Sequence, residues 1–163
     1  MQTNLMKSEN GSSSVSERTK SNTKICIMGP DTPEQLRLQN ILLSRGFQVL
    51  SIHEVIGSSN EIKRFGPHIL VLDVNMNTLS GIRLIKVLRK NLVQMPILIL
   101  YADMDRGCLQ KIAMETFAND FVVKDDGHRG LLSSIRRELE RRKMWKNPDT
   151  GMAKAGPEIK SIY

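Results

Sequence analysis

The amino-acid sequence predicts an α/β fold in which a parallel sheet of five strands is covered by helices on both faces. Short, continuous apolar runs occur, such as residues 69–72 and 97–100. Such runs are typical of parallel strands that are buried on both sides. Helical patterns alternate with these runs, which favours right-handed strand–helix–strand units. Together, these two observations predict one doubly wound domain.

The predicted elements alternate as strand and helix from residue 24 onward. The strands are predicted at residues 25–28, 47–52, 69–73, 97–100 and 121–123, and the helices at residues 33–44, 58–65, 80–91, 105–117 and 129–145. The first helix has clear ends, because Thr32 suits the N-cap, Pro33 suits the first helical position and Gly46 lies just past the end. The second strand alternates between apolar and polar residues and is therefore expected near a sheet edge.

The later helices are predicted from apolar residues that recur at helical spacing. The residues expected to face inward are Gly81, Leu84, Ile85 and Leu88 in the third helix, Leu109, Ile112, Ala113 and Phe117 in the fourth, and Leu131, Leu132, Ile135 and Leu139 in the fifth. The second helix has a weaker pattern and is stopped by Gly66 and Pro67, and Pro96 opens the fourth strand.

Two polar segments flank the predicted domain of residues 24–146. Residues 1–23 are rich in Ser, Asn, Lys and Glu. Such a segment buries too little apolar surface to offset the entropy of ordering it, so we expect a disordered tail. Residues 147–163 carry glycines and prolines and are expected to form a flexible tail.

Composition limits the classes of function. Hydrophobic residues make up 40% of the chain, enough for a core, whereas aromatic residues at 4% argue against a platform that stacks nucleic-acid bases. The net charge of +7 permits contact with nucleic acid or acidic partners without requiring it. The sequence shows no apolar signal core and no membrane-spanning run, and its two cysteines lack metal-ligand spacing. We therefore expect a soluble cytoplasmic protein with reduced thiols.

Polar side chains stand at the ends of the central predicted strands. Asp73 ends the third strand, Tyr101 follows the fourth and Lys124 follows the fifth. Because the carboxyl ends of parallel strands meet at one edge of the sheet, these three residues are expected to share that edge, where open α/β sheets place functional sites. An ion pair between Asp73 and Lys124 is expected there.

The chain resembles the receiver domain of bacterial response regulators over about residues 24–142. The matching segments are Asp73-Val74-Asn75-Met76 followed by Ser80-Gly81, Val122-Val123-Lys124 preceded by Phe121, and Arg45-Gly46-Phe47-Gln48-Val49. The resemblance implies a flavodoxin-like sheet with strand order 2-1-3-4-5. It also implies that Asp73 is the phosphoacceptor, that Lys124 is the lysine of the phosphate site, and that Tyr101 and Phe121 occupy switch positions.

The resemblance further implies the chemistry of the site. In the family, an aspartate carboxylate attacks a phosphoryl donor and forms an acyl phosphate, while Mg²⁺ and the lysine ammonium neutralise the phosphoryl oxygens. The family holds Mg²⁺ with a pair of acidic residues after the first strand, with the phosphoacceptor, and with a backbone carbonyl that Asn75 would supply here.

The sequence departs from the family pattern at the acidic pair. Gly29 and Pro30 stand at those two positions, and neither offers a side-chain oxygen. Asp31, one residue further on, would reach the site only after a local shift. We therefore expect an atypical, or pseudo-, receiver with no Mg²⁺ or with weak Mg²⁺ binding, for which the candidate ligands are Asp31, Asp73 and Asn75.

A second departure is Tyr101, which replaces the small hydroxyl residue that binds the phosphoryl group in the family. We expect its phenol to close the pocket and to pack near Phe121 and Lys124. Without the acidic pair, Asp73 fits the role of a structural acid paired with Lys124 as well as it fits the role of a phosphoacceptor.

We expect a stand-alone signalling module, not an enzyme, that works in two-component or phosphorelay signal transduction. Its expected output is contact through the fourth helix, fifth strand and fifth helix with a histidine kinase, a downstream effector or a second copy of the chain. A conventional receiver phosphorylated on Asp73 stays an alternative. So does a flavodoxin-like binder of a phosphorylated cofactor at residues 29–32, although this segment lacks a glycine-rich phosphate loop. The third alternative is a nucleic-acid adaptor that uses the basic last helix, which is more often a solvated face.

Overall fold

The computed structural model describes residues 21–74, 78–92 and 94–146. The strands are β1 (Lys24–Met28), β2 (Gln48–Ile52), β3 (Ile69–Asp73), β4 (Ile97–Ala102) and β5 (Asp120–Val123). The helices are α1 (Pro33–Ser44), α2 (Ser58–Phe65), α3 (Thr78–Asn91), α4 (Arg106–Thr116) and α5 (Gly127–Lys146), and a 3₁₀ turn covers Lys124–Asp126. Residues 1–20 and 147–163, which make up nearly all of the two predicted tails, lie outside the described residues.

The five strands form one parallel sheet in the order β2-β1-β3-β4-β5. This confirms the predicted doubly wound fold and its strand order. Every residue of β3 and β4 is buried, as expected for continuous apolar runs in central strands. In the outer strand β2, by contrast, Ile52 is the one buried residue, in agreement with the predicted edge position.

Helices cover both faces of the sheet, so the core has two layers. One hydrophobic cluster joins alternate strand residues such as Leu70 and Leu98 to α2, α3 and α4. The other joins the intervening strand residues, such as Val71 and Ile99, to α1 and α5. The alternation of side chains along a strand explains why neighbouring residues enter different layers.

Several helix ends follow directly from the local sequence. The helix α1 has the predicted bounds, and the Thr32 hydroxyl caps it by accepting a hydrogen bond of 3.3 Å from the backbone N–H of Gln35. Gly66 ends α2 in the left-handed conformation, with φ 61°. The helix α3 begins at Thr78, two residues before its predicted start, and α5 begins at Gly127, also two residues early.

The prediction that Phe117 faces inward is wrong. The side chain is 78% exposed, because the chain leaves α4 there in the left-handed conformation, with φ 52°. Its ring turns toward the Arg89 guanidinium, which lies 5.9 Å from the ring centroid. The other predicted inward residues of α4 are buried or half-buried.

The register of the sheet sets the positions of the predicted site residues. Met28 pairs with Leu72, so Gly29 lies beside Asp73 just past the end of β1. Asp73 itself pairs with Tyr101, which lies inside β4 and not after it, because that strand continues to Ala102. None of the described helices is long and apolar enough to cross a membrane.

Candidate functional site

Asp73 and Lys124 meet at the carboxyl edge of the sheet. Asp73 is the last residue of β3, and its side chain is 7% exposed. Lys124 follows β5 directly, and its Nζ atom lies 2.6 Å from Asp73 Oδ2. The predicted ion pair is therefore present, while the role of Asp73 as a phosphoacceptor stays a prediction.

Glu34 is a second carboxylate at this site, and it was not predicted from the sequence. It lies in the first turn of α1, and its Oε2 atom is 3.4 Å from Lys124 Nζ. Burial alone would lower the pKa of Lys124, but the hydrogen bond and charge of Asp73, together with Glu34, outweigh burial and raise it. The lysine is thus a cation held between two carboxylates. A sequence signal was available, because α1 begins at the same sheet edge as Asp73.

The space beside Asp73 is filled by Gln35 and not by an acidic side chain. Gln35 is buried, and its Nε2 atom donates hydrogen bonds to the carbonyl oxygen of Gly29 at 3.3 Å and to the hydroxyl of Ser51 at 3.4 Å. A Cβ atom on Gly29 would overlap Gln35 Oε1 and would lie 2.9 Å from Asp73 Cβ. The position next to Asp73 therefore has no room for a carboxylate while Gln35 keeps this conformation.

Tyr101 packs against Lys124 on one face of the sheet. Its side chain is buried, and its ring centroid lies 5.3 Å from Lys124 Nζ. Burial, with help from the charges of Glu34 and Asp73, raises the pKa of Tyr101 to about 12, so the phenol is neutral at physiological pH.

The expected packing of Tyr101 near Phe121 is not found. Tyr101 belongs to the cluster under α1 and α5, whereas Phe121 packs against the cluster under α2, α3 and α4. The register explains this separation, because Tyr101 pairs with Val122 and Phe121 pairs with Leu100. Neighbouring positions along paired strands point to opposite faces. Phe121 instead contacts Arg106, whose guanidinium carbon lies 5.3 Å from the ring centroid.

The model of the response regulator receiver domain family matches residues 25–136. The chain belongs to this family. Receiver domains of the family are signalling modules of two-component systems, and the match covers nearly all of β1, the other four strands and the first half of α5.

Similar proteins agree with this membership. The chain is 30% identical over 113 residues to the transcriptional regulatory protein KdpE of two Mycobacterium tuberculosis strains, an alignment that covers 68% of this chain and 49% of each relative. The chain thus spans about half the length of the curated relatives it matches.

Solved receiver structures have the same fold. A response regulator receiver domain from Bermanella marisrubri is 25% identical, with a TM-score of 0.63 over 72% of this chain and 98% of that one. A CheY-like receiver domain protein from Methanospirillum hungatei is 19% identical, with a TM-score of 0.66 over 76% of this chain and 98% of that one.

The sequence differs from the family pattern at two of the residues that would hold Mg²⁺. Mg²⁺ prefers several oxygen ligands in an octahedral arrangement. Gly29 and Pro30 offer no side-chain oxygen, and Asp31 is exposed. Within residues 21–74, 78–92 and 94–146, no three His, Cys, Asp or Glu side chains come together as a metal site. The third candidate ligand, Asn75, lies outside the described residues.

The basic last helix is partly engaged within the domain. Arg137 pairs with Asp120, and Arg141 Nη1 lies 2.9 Å from Glu138 Oε1. Arg142 Nη1 donates a hydrogen bond of 3.1 Å to the carbonyl oxygen of a residue in the loop before β3. The two carboxylates offset the charges of Arg137 and Arg141, whereas Arg142 keeps its charge because its partner is a neutral carbonyl.

Proposed function

We propose that this receiver domain signals mainly by contact with a protein partner, and that Mg²⁺-dependent phosphorylation of Asp73 is weak or absent. The observation that carries the proposal is the packing beside Asp73. Gly29 occupies the position of the first acidic residue, and the Gln35 carboxamide fills the space that a side chain at this position would need.

Charge at the site supports the same conclusion. The carboxylates of Asp73 and Glu34 share one ammonium group, that of Lys124. A phosphoryl group brings further negative charge, and its transfer depends on cations that neutralise the oxygens. With Lys124 already shared between two carboxylates, the described residues leave this added charge poorly compensated.

Tyr101 adds a steric argument. In the family, a small hydroxyl residue at this position binds the phosphoryl group. Here the phenol packs in the core beside Lys124, and it pairs along the strand with Asp73. We propose that Tyr101 closes the pocket and holds the domain in one conformation.

The proposed output surface consists of α4, β5 and α5. On this surface, Arg106 is exposed and covers the half-buried ring of Phe121, and Met114 is an exposed apolar side chain on α4. A mixture of apolar and arginine side chains is typical of protein interfaces. The proposed partner is a histidine kinase or a downstream effector, and a second copy of the chain would use the same surface.

Phosphodonor labelling tests the proposal. The protein is incubated with radiolabelled acetyl phosphate, with and without Mg²⁺, beside Asp73→Asn as the control. We expect little incorporation of the labelled phosphoryl group, and we expect that Mg²⁺ does not increase it. The Pro30→Asp variant returns one carboxylate at the second position of the acidic pair, and it should gain Mg²⁺-dependent labelling that a further Asp73→Asn change abolishes.

A conventional receiver phosphorylated on Asp73 is the second candidate, and the close contact between Asp73 and Lys124 favours it. Strong Mg²⁺-dependent labelling of the unmodified protein, lost in Asp73→Asn, would select this candidate. In cells, we expect the Asp73→Asn variant to keep signalling and the Arg106→Glu variant to lose signalling, with both proteins folded by circular dichroism. For a conventional receiver, the Asp73→Asn variant should lose signalling.

A further inference from the structure

A cleft of about 970 Å³ opens at the amino-terminal edge of the sheet, opposite the edge that carries Asp73. Pro96 and Ile97 at the start of β4 line it, together with Asn119 just before β5. Its volume lies at the upper end of the range of small-molecule sites in proteins, roughly 300–1,000 Å³. The proposed function of the Asp73 site does not involve this cleft.

Three guanidinium groups line the cleft, against one carboxylate, that of Glu138. Arg89 Nη2 donates hydrogen bonds of 2.7 Å and 2.9 Å to the carbonyl oxygens of Thr116 and Phe117, and the Arg141 guanidinium is held by Glu138. The third, Arg142, is held by a backbone carbonyl. Within the part of the chain that the structure describes, these groups make no other hydrogen bond, so further N–H donors are available on held side chains.

Held guanidinium groups are suited to phosphate. An arginine offers paired N–H donors that match two oxygens of one phosphate, and fixing the side chain beforehand reduces the entropy lost on binding. Two of these arginines come from α5 and one from α3, so the positive charge surrounds the cleft and does not lie along a single helix face.

Phe117 supplies a different kind of contact at the same cleft. Within the described ranges, it is the one residue other than glycine with a positive φ, and its ring is largely exposed. A bulky residue in this conformation costs about 1–2 kcal/mol, and such strain is often found at functional sites. An exposed ring beside arginines can stack with the flat ring of a ligand.

We propose that this cleft binds a free nucleotide, with its phosphates on the guanidinium groups of Arg141, Arg142 and Arg89 and its base stacked on Phe117. The combination of an aromatic surface and several phosphate donors favours a nucleotide over inorganic phosphate. The three guanidinium groups and the ring line one cleft, which fits a single small ligand.

Isothermal titration of the full chain with ADP and GDP tests this inference, with pyrophosphate and adenosine as probes of each half of the ligand. We expect ADP or GDP to bind about tenfold or more tightly than either half-probe, and to bind more weakly as salt is raised. Phe117→Gly relieves the backbone strain, so the variant should melt at an equal or higher temperature and still lose about tenfold in nucleotide affinity.

Arginine variants complete the test. Arg141→Lys with Arg142→Lys keeps the charge but removes the paired donors, and should weaken ADP binding about tenfold. Arg136→Ala is the matched control, because Arg136 lies on the same helix but lines a different cleft, and it should change nothing. The inference is overturned by no binding at millimolar ADP and GDP, by unchanged affinity in Phe117→Gly, or by an equal loss in Arg136→Ala. If an oligothymidylate binds more tightly than ADP, the inference is overturned and the cleft is a site for single-stranded nucleic acid.

Discussion

Replacing Gly29 by alanine tests the packing of Gln35 beside Asp73 in this receiver domain. The added methyl group would overlap Gln35 Oε1 and lie 2.9 Å from Asp73 Cβ. Gly29 does not have a positive φ, so alanine meets no backbone strain there and the cost is one of packing. Overpacking of this kind costs roughly 1–3 kcal/mol, and the lower entropy of the unfolded alanine chain offsets about 0.4–1 kcal/mol.

A double-mutant cycle with Gln35→Ala isolates this contact. Gln35→Ala loses two long hydrogen bonds, each worth roughly 0.5–1.5 kcal/mol, but it also empties the space beside Gly29. The double variant should therefore be more stable than the sum of the two single changes predicts, by about 1 kcal/mol or more. For a domain of this size, that corresponds to roughly 3–6 °C in melting temperature.

Urea denaturation of the four proteins measures the cycle. Gly81→Ala serves as the control glycine, because its Cβ atom would meet Leu72 Cδ2 at an ordinary distance of 3.4 Å. Gly81 lies in α3, so alanine there should stabilise the protein by about 0.5–1 kcal/mol. Additive effects of Gly29→Ala and Gln35→Ala would refute the reasoning, because Gln35 would then not be what excludes a side chain at position 29.

Further predictions concern titration and reactivity. The exposed thiol of Cys108 should react rapidly with a thiol reagent, whereas the buried thiol of Cys26 should react only on unfolding. Burial and a nearby glutamate raise the pKa of Cys26 to about 12, which keeps this thiol protonated. Rapid reaction of both thiols in the folded protein would contradict this prediction. In ultraviolet titration, the step that Tyr101→Phe removes should lie at about pH 12, and a step near pH 10 would contradict the burial of its phenol. Asp73→Ala should lower the unfolding free energy by about 1–3 kcal/mol, because it removes one partner of a partly buried ion pair. Since the folded pKa of Lys124 is raised above 10.5, this loss should be constant between pH 7 and 9 and should shrink as the pH rises through the folded pKa; a loss that grows with pH would contradict the pairing.

The fold was predictable because its signals are local. Continuous apolar runs predicted β3 and β4 and their burial, and the alternating pattern of β2 predicted an edge strand. Cap residues such as Thr32 and Gly66 fixed helix ends within a residue or two, since capping depends on the immediate neighbours in the chain. The order of the strands came from the family resemblance and not from these local patterns.

The candidate site was predictable only in part. Strand ends predicted that Asp73 and Lys124 share one edge, and their side chains are in contact. Glu34 was missed although the start of α1 at the same sheet edge was a usable signal, because 90 residues separate Glu34 from Lys124 and the crossover connections bring the two together. The packing of Gln35 against Gly29 was missed for a similar reason, since it depends on the rotamer that the glutamine adopts in the folded core.

The sequence by itself determined the alternation of strands and helices, the buried strands and the edge at which Asp73 and Lys124 lie. Only the tertiary structure decided which side chains surround them, and it placed Tyr101 and Phe121 on opposite faces of the sheet. It also decided that Phe117 is exposed beside three arginines from two helices. The physical reason is that hydrophobic periodicity and capping act over a few residues, whereas side-chain contacts between elements depend on strand register and on how the chain crosses the sheet.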